Sequence, residues 1–172
     1  IKGSVVSDPT TGQSSVSYTL TSNESNTVLL NKSVAFNDNS KRKAVHSLDN
    51  AAYKAITQTP GIFTSKIAVA TKKGPKYSLV VADFDGYNPK TLLTTNRPVQ
   101  SLAWNNSGNS ISYVTYEKGK PVVYVQNLAE GSRYEVANFN GSNSSPAFAP
   151  DNQKLAVTLS KDYGSHIYLV NN

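Results

Sequence analysis

No cysteine occurs in the chain, so neither a disulfide framework nor a thiolate zinc site can form. That absence does not fix a compartment, since chains of several compartments lack the residue. No run of 18 apolar residues is present, which removes a membrane-spanning helix from consideration. Charge is sparse: 16% of 172 residues, with 17 Lys+Arg against 11 Asp+Glu and a formal balance of +6. Most of these bases are scattered. The local groups are Lys41-Arg42-Lys43 and Lys72-Lys73 with Lys76, too few for the counterion release that drives nucleic-acid binding. They read as solvated surface, and nucleic acid is not an expected partner. The start, Ile1-Lys2-Gly3, has neither an initiator Met nor the apolar core of a signal peptide. Either a leader was removed or the chain is cut from a longer one.

Catalytic signatures are missing too. No Gly-x-Ser-x-Gly elbow, phosphate-binding P-loop or His-Glu-x-x-His occurs. The two histidines, His46 and His166, fall in different predicted elements without a second ligand at i+3 or i+4, so no metal site is expected. His46 reads as a helix-surface residue. Asp83 and Asp85, two apart, read as a polar strand end followed by a turn rather than a cation-holding pair. No cofactor is expected.

What is present is a period of 44 residues. Ser65–Thr71 aligns with Asn109–Thr115 and then with Gln153–Leu159. The same offset carries Leu79-Val80-Val81 onto Val123-Tyr124-Val125 and Ile167-Tyr168-Leu169, and Ser101–Trp104 onto Ser145–Phe148. The middle repeat reads as four strands: Val99–Trp104, Ile111–Tyr116, Pro121–Leu128 and Arg133–Phe139. Turns rich in Asn, Gly and Ser separate them. Four short antiparallel strands per repeat make a propeller blade, which must stack on neighbours to bury its faces. The first repeat lacks an inner strand, because Thr59-Pro60-Gly61 stands where Trp104 would be expected. The third stops before its fourth strand. Two and a half blades cannot close a ring, so the chain is expected to be a slice of a longer polypeptide. Trp104 and Phe148, at equivalent positions, are expected to pack between blades.

Residues 1–60 lie outside the period. Asp8–Gly12 reads as a turn. Ser15–Leu20 and Val28–Phe36 read as a hairpin, and Ser40 as the cap of a helix that buries Val45, Leu48, Ala52, Ala55 and Ile56. Thr59-Pro60-Gly61 stops that helix. The fold class is therefore mainly β: a partial β-propeller over 61–172, preceded by the end of an α/β domain, a hairpin plus a helix, over 1–60.

Three segments carry a resemblance. Ala55–Ala68 resembles the junction between the two domains of the TolB family. Val81–Pro89, with its Asp85-Gly86-Tyr87-Asn88-Pro89 run, is similar to that family's first blade. Lys120–Leu128 and Ser145–Asp151 resemble the next two blades. The turns Asn105–Gly108 and Ala149–Asn152 depart from the family's Ser-Pro-Asp-Gly but keep turn-forming residues. The resemblance implies a non-enzymatic periplasmic scaffold of the Tol-Pal envelope system with a six-bladed propeller. It implies binding of the peptidoglycan-associated lipoprotein Pal, a contact with TolA through an N-terminal segment absent from this sequence, and use of the propeller by colicins. Its Pal contacts lie in loops leading into the innermost strand of each blade. Here those match Thr95–Gln100 and Asn140–Ser145, with Thr95, Asn96, Arg97, Asn140, Ser142, Asn143, Ser144 and Ser145 as candidates. Some relatives carry His at the place of Ser142. Two other readings stay open: the substrate-gating propeller of a serine peptidase, and a polyanion-binding propeller.

Overall fold

The computed structural model describes residues 1–161 and 163–172. The chain divides into two compact units, Ile1–Ile67 with Asp83–Tyr87, and Ala68–Ala82 with Asn88–Asn172. Among the described residues no helix is long and apolar enough to cross a membrane.

The first unit holds a three-stranded antiparallel sheet, β1 (Lys2–Ser7), β2 (Ser14–Thr21) and β3 (Val28–Phe36), followed by α1 (Lys41–Thr57). The turn joining β1 to β2 is held by Asp8, whose carboxylate accepts the amide of Thr10 at 2.8 Å and the hydroxyl of Thr11 at 2.7 Å. β1 is an addition to the sequence reading. Lys2–Ser7 lacks alternation and is exposed throughout, so pairing with β2, not burial, makes it a strand.

Helix α1 buries Ala44 and Leu48 and half-buries Ala51 and Ala55, a stripe spaced for one helical face. Val45 and Ile56, expected on the buried face, are exposed instead. The small alanines let the helix lie close to β2 and β3, and Tyr18 donates its hydroxyl to the Leu48 carbonyl. Ser40 occupies the N-cap position without capping through its side chain. Its hydroxyl takes the Asn37 amide at 2.9 Å, inside the preceding turn. The helix ends at Gln58 in the left-handed region (φ 62), whose amide donates to Lys54. Beyond it Gly61 passes so close to Asn50 that a Cβ would sit 2.8 Å from the Asn50 Cα. Any side chain there would displace the segment that Asn50 holds through Phe63 N (2.9 Å) and Thr64 Oγ1 (2.8 Å).

Three antiparallel sheets follow α1. The first runs β4 (Lys66–Lys73), β5 (Lys76–Asp83) and β6 (Lys90–Thr95). The second runs β7 (Val99–Trp104), β8 (Ser110–Thr115), β9 (Val122–Asn127) and β10 (Arg133–Ala137). The third runs β11 (Ser142–Phe148), β12 (Lys154–Lys161) and β13 (Gly164–Asn171). The 44-residue period reaches the backbone. β7 and β11 each break register, between Gln100 and Ala103 and between Ser144 and Ala147. Each break has a serine at positive φ, Ser101 at 54° and Ser145 at 51°. The turn residues Gly108 (φ 67) and Asn152 (φ 61) are equivalent as well. The substituted turns thus keep the left-handed step.

Two apolar cores lie on the two faces of the four-stranded sheet. One joins Leu79, Val81, Val99, Ile111, Tyr113, Val122 and Tyr124, with Trp104 packed against it. The other joins Val114, Val123, Val125, Ala137, Leu155, Val157 and Leu159, with Phe148 in the equivalent place. Because β8 and β9 alternate, odd and even positions feed opposite cores. Each fully buried aliphatic side chain contributes about 1.5–3 kcal/mol. Asparagines link neighbouring turns: Asn106 N donates to Asn152 Oδ1 (2.8 Å), and Asn152 Nδ2 to Ser107 (2.9 Å).

Candidate functional site

Antiparallel strands place alternate connections at opposite ends of a sheet. The β6–β7 and β10–β11 connections, which hold the sequence candidates, therefore share an end with the β4–β5 and β8–β9 hairpins. Pairing of Tyr77 with Thr95 and of Val99 with Thr115 ties the first connection to both hairpins.

In the β6–β7 connection Thr95 is half-buried and its hydroxyl accepts the Arg97 amide at 3.2 Å, which closes a short turn. Asn96 and Arg97 are exposed at its tip. Pro98 fixes the return, and its carbonyl accepts the Tyr116 amide at 3.3 Å.

The β10–β11 connection is braced more heavily. Asn140 is exposed, Ser142 and Ser144 are half-buried, and Ser145 is exposed on its strained φ. Asn143 is 0% exposed. Its Oδ1 accepts the Phe139 amide at 2.9 Å, and its Nδ2 faces the carbonyls of Phe139 (2.9 Å), Pro121 (3.1 Å) and Gly141 (3.3 Å). A side chain so enclosed has no atom left for a partner, so its role is to shape the loop. Lys120 adds a second brace, donating to the carbonyls of Asn138 (3.3 Å) and Phe139 (3.0 Å). Sequence reasoning missed that brace. The signal available was a lysine ahead of a proline in the neighbouring hairpin, which names no target.

A polar network runs over β8, β9, β10 and the β8–β9 hairpin of the four-stranded sheet. Arg133 donates to Glu117 (2.8 Å) and to the Tyr113 hydroxyl (3.3 Å) and stacks over the Tyr124 ring at 4.7 Å. Tyr124 donates to Glu135 at 3.1 Å, and Glu135 pairs with Lys118. Burial, with the Glu135 carboxylate second, pushes the Tyr124 phenol up to about 12. The hydrogen bond from Lys118 holds the Glu135 carboxyl below its ordinary value. The Glu117 carboxylate keeps the Arg133 guanidinium charged well above the usual range. All of these groups satisfy one another, and no nucleophile–base pair is left among them.

In the first unit the remaining candidates resolve differently. Asp83 meets Lys66 at 3.1 Å and Arg42 at 3.5 Å, and Asp85 pairs with Arg42, whose guanidinium also lies 4.2 Å from the Tyr87 ring centroid. Both carboxylates are thus neutralised by cations, and the Arg42 bond holds the Asp85 carboxyl below its ordinary value. No group of three metal-ligating side chains exists among the described residues. His46 is not a surface residue. Its side chain is 16% exposed, its Nδ1 lies 3.1 Å from Asp49, and its ring packs edge-on against Phe84 at 5.2 Å. Phe84 in turn meets Phe63 at 5.4 Å.

A family model described as the TolB beta propeller domain matches residues 53–172. The chain belongs to the TolB β-propeller family. Curated relatives carry the name Tol-Pal system protein TolB. That of Aromatoleum aromaticum is 42% identical over 133 residues, 77% of this chain and 31% of the relative. That of Nitrosomonas europaea is 45% identical over 103 residues, 60% of this chain and 24% of the relative. The crystal structure of TolB from Acinetobacter baumannii superposes with a TM-score of 0.91 at 32% identity, covering 98% of this chain and 43% of that one. The chain therefore spans less than a third of the length of these curated TolB relatives.

Proposed function

We propose that the chain is a protein-docking part of the Tol-Pal envelope system. It works in the periplasm without catalysis and binds the lipoprotein Pal through its inner-strand loops. In this reading it contributes to outer-membrane integrity and to envelope constriction during division, TolA engages another part of the full assembly, and colicins use the same propeller. The observation that carries the reading is the pair of equivalent loops in a TolB-family propeller. Both hold hydrogen-bonding tips outward, Asn96 and Arg97 in one and Asn140 in the other, on bases braced by Pro98, Asn143 and Lys120. Bracing lowers the entropy lost on association, and amides and guanidinium groups suit a polar, water-excluding interface.

Asn143 and Thr95 enter this account as positioning residues; Asn96, Arg97, Asn140, Ser142, Ser144 and Ser145 are the direct contacts. The test is retention of the soluble domain of Pal by the full chain. Replacing Asn96, Arg97 and Asn140 together by alanine removes exposed groups only, so the fold survives. Binding is expected to weaken at least about tenfold, since a contact residue that matters costs more than about 1 kcal/mol. Unchanged binding by this variant would remove Pal docking from these loops.

A further inference from the structure

We infer that the loop end of the second unit is an electropositive surface that selects an acidic protein face and draws it in by long-range attraction. The inference deepens the docking reading above and rests on it. Strand alternation puts the β4–β5, β6–β7, β8–β9 and β10–β11 connections at this end. They and the strand ends beside them carry Lys72, Lys73, Lys76, Arg97, Lys118 and Lys120. The acids nearby are Glu117, bound to Arg133, and Glu135, bound to Lys118. Over 161–162 the sequence adds one charge of each sign. Among the described residues Lys72, Lys73, Lys76 and Arg97 have no carboxylate partner, and all four are exposed. Lys72 is steadied over the Tyr77 ring, 5.3 Å from its centroid. At the opposite end, counted in the same way, the second unit carries Lys90, Arg133 and Lys154 against Glu130 and Asp151.

The cationic excess is thus larger at the loop end, which is also the end with braced, hydrogen-bonding loops. The cations are separated by amides and hydroxyls, Asn96, Asn140 and Ser142, and no more than two are adjacent in sequence. Such spacing matches discrete carboxylates on a folded partner better than a phosphate backbone, whose charges repeat every few ångströms. Complementary fields of this kind act chiefly on the association rate and lose force as salt shortens their range.

The experiment measures association and dissociation rates of the full chain with soluble Pal as ionic strength rises from about 0.01 M to about 0.1 M, where the screening length falls from about 30 Å to about 10 Å. Parallel probes are poly-L-glutamate, vesicles containing phosphatidylglycerol, and duplex DNA. The variant is Lys72→Glu/Lys73→Glu/Lys76→Glu, which leaves the proposed contact residues intact, and Glu130→Lys is the control at the far end. The expected result is an association rate that falls about tenfold or more with salt in the unmodified chain. In the triple variant the low-salt rate is lower by a similar factor, the salt response is flat, and dissociation changes less than about twofold. The control behaves as unmodified. If Pal fails to bind at all while poly-L-glutamate binds and is lost in the triple variant, the Pal reading falls and the acidic-partner inference stands. If Pal binds with a flat salt response and an unaltered triple variant, the inference is overturned and the docking reading remains. Tighter binding of the vesicles or the DNA than of poly-L-glutamate overturns it as well, by assigning the surface to a lipid or a nucleic acid.

Discussion

Removing the Asn143 side chain should destabilise the second unit out of proportion to the chemistry lost, because an asparagine in a solvent-facing loop would ordinarily be a neutral position. Asn143→Ala leaves the Phe139 amide without its acceptor and takes this donor from the Pro121 and Gly141 carbonyls, while the Phe139 carbonyl keeps the Lys120 ammonium. A buried polar group that loses its partner costs about 1–3 kcal/mol. Phe139 itself is exposed at its side chain, so water can reach part of the site and recover some of that cost. The net expectation is about 2–3 kcal/mol. In a chain of 172 residues each kcal/mol lowers Tm by about 2–4 °C, so a drop of roughly 4–12 °C follows. Asn143→Asp should be at least as damaging, since it keeps the acceptor but sets a carboxylate against three carbonyl oxygens. Urea unfolding of both variants, with Asn96→Ala as the exposed counterpart expected within about 0.5 kcal/mol of the parent, measures the difference. An Asn143→Ala variant as stable as Asn96→Ala would refute the claim that this side chain holds the loop together.

Gln58 occupies a left-handed φ that glycine adopts without a Cβ clash. Gln58→Gly should therefore keep α1 intact and stabilise the chain by up to about 1 kcal/mol, read from the urea midpoint. Tyr124, pushed up to about 12 from an ordinary value near 10, binds its proton more tightly folded than unfolded. Its stabilising contribution is complete below pH 10 and is lost as the pH rises from 10 to about 12. Ultraviolet titration of phenolate absorbance should show this tyrosine ionising earlier in Glu135→Gln than in the parent, with burial still holding it above an ordinary tyrosine; equal curves would remove Glu135 as a cause.

The repeat was legible because a propeller imposes one offset on every strand. Leu79, Val123 and Ile167 recur in step, and the bulge serines Ser101 and Ser145 recur with them in the backbone. The helix was legible in extent but not in its buried face. Bulky Val45 and Ile56 outweigh Ala44 and Ala51 in any hydrophobicity pattern, although close packing on the sheet favours the alanines. β1 carried no signal, because its strand state comes from pairing with β2 rather than from its own side chains. In the candidate loops the sequence located the segments but could not separate Asn140 from Asn143. Both are asparagines in a turn-rich stretch; only the approach of Pro121 and Phe139 from outside the local sequence makes one of them internal. The same holds for His46, whose neighbour Phe84 lies 38 positions away, and for Asp83 and Asp85, whose shared cation Arg42 comes from α1.

Amide hydrogen exchange with soluble Pal added to the full chain tests the central claim most directly. The account predicts protection concentrated at 95–100 and 138–145, with the turns at 105–109, 128–132 and 149–153 unchanged. Protection confined to those far-end turns, or none at saturating Pal, would contradict it.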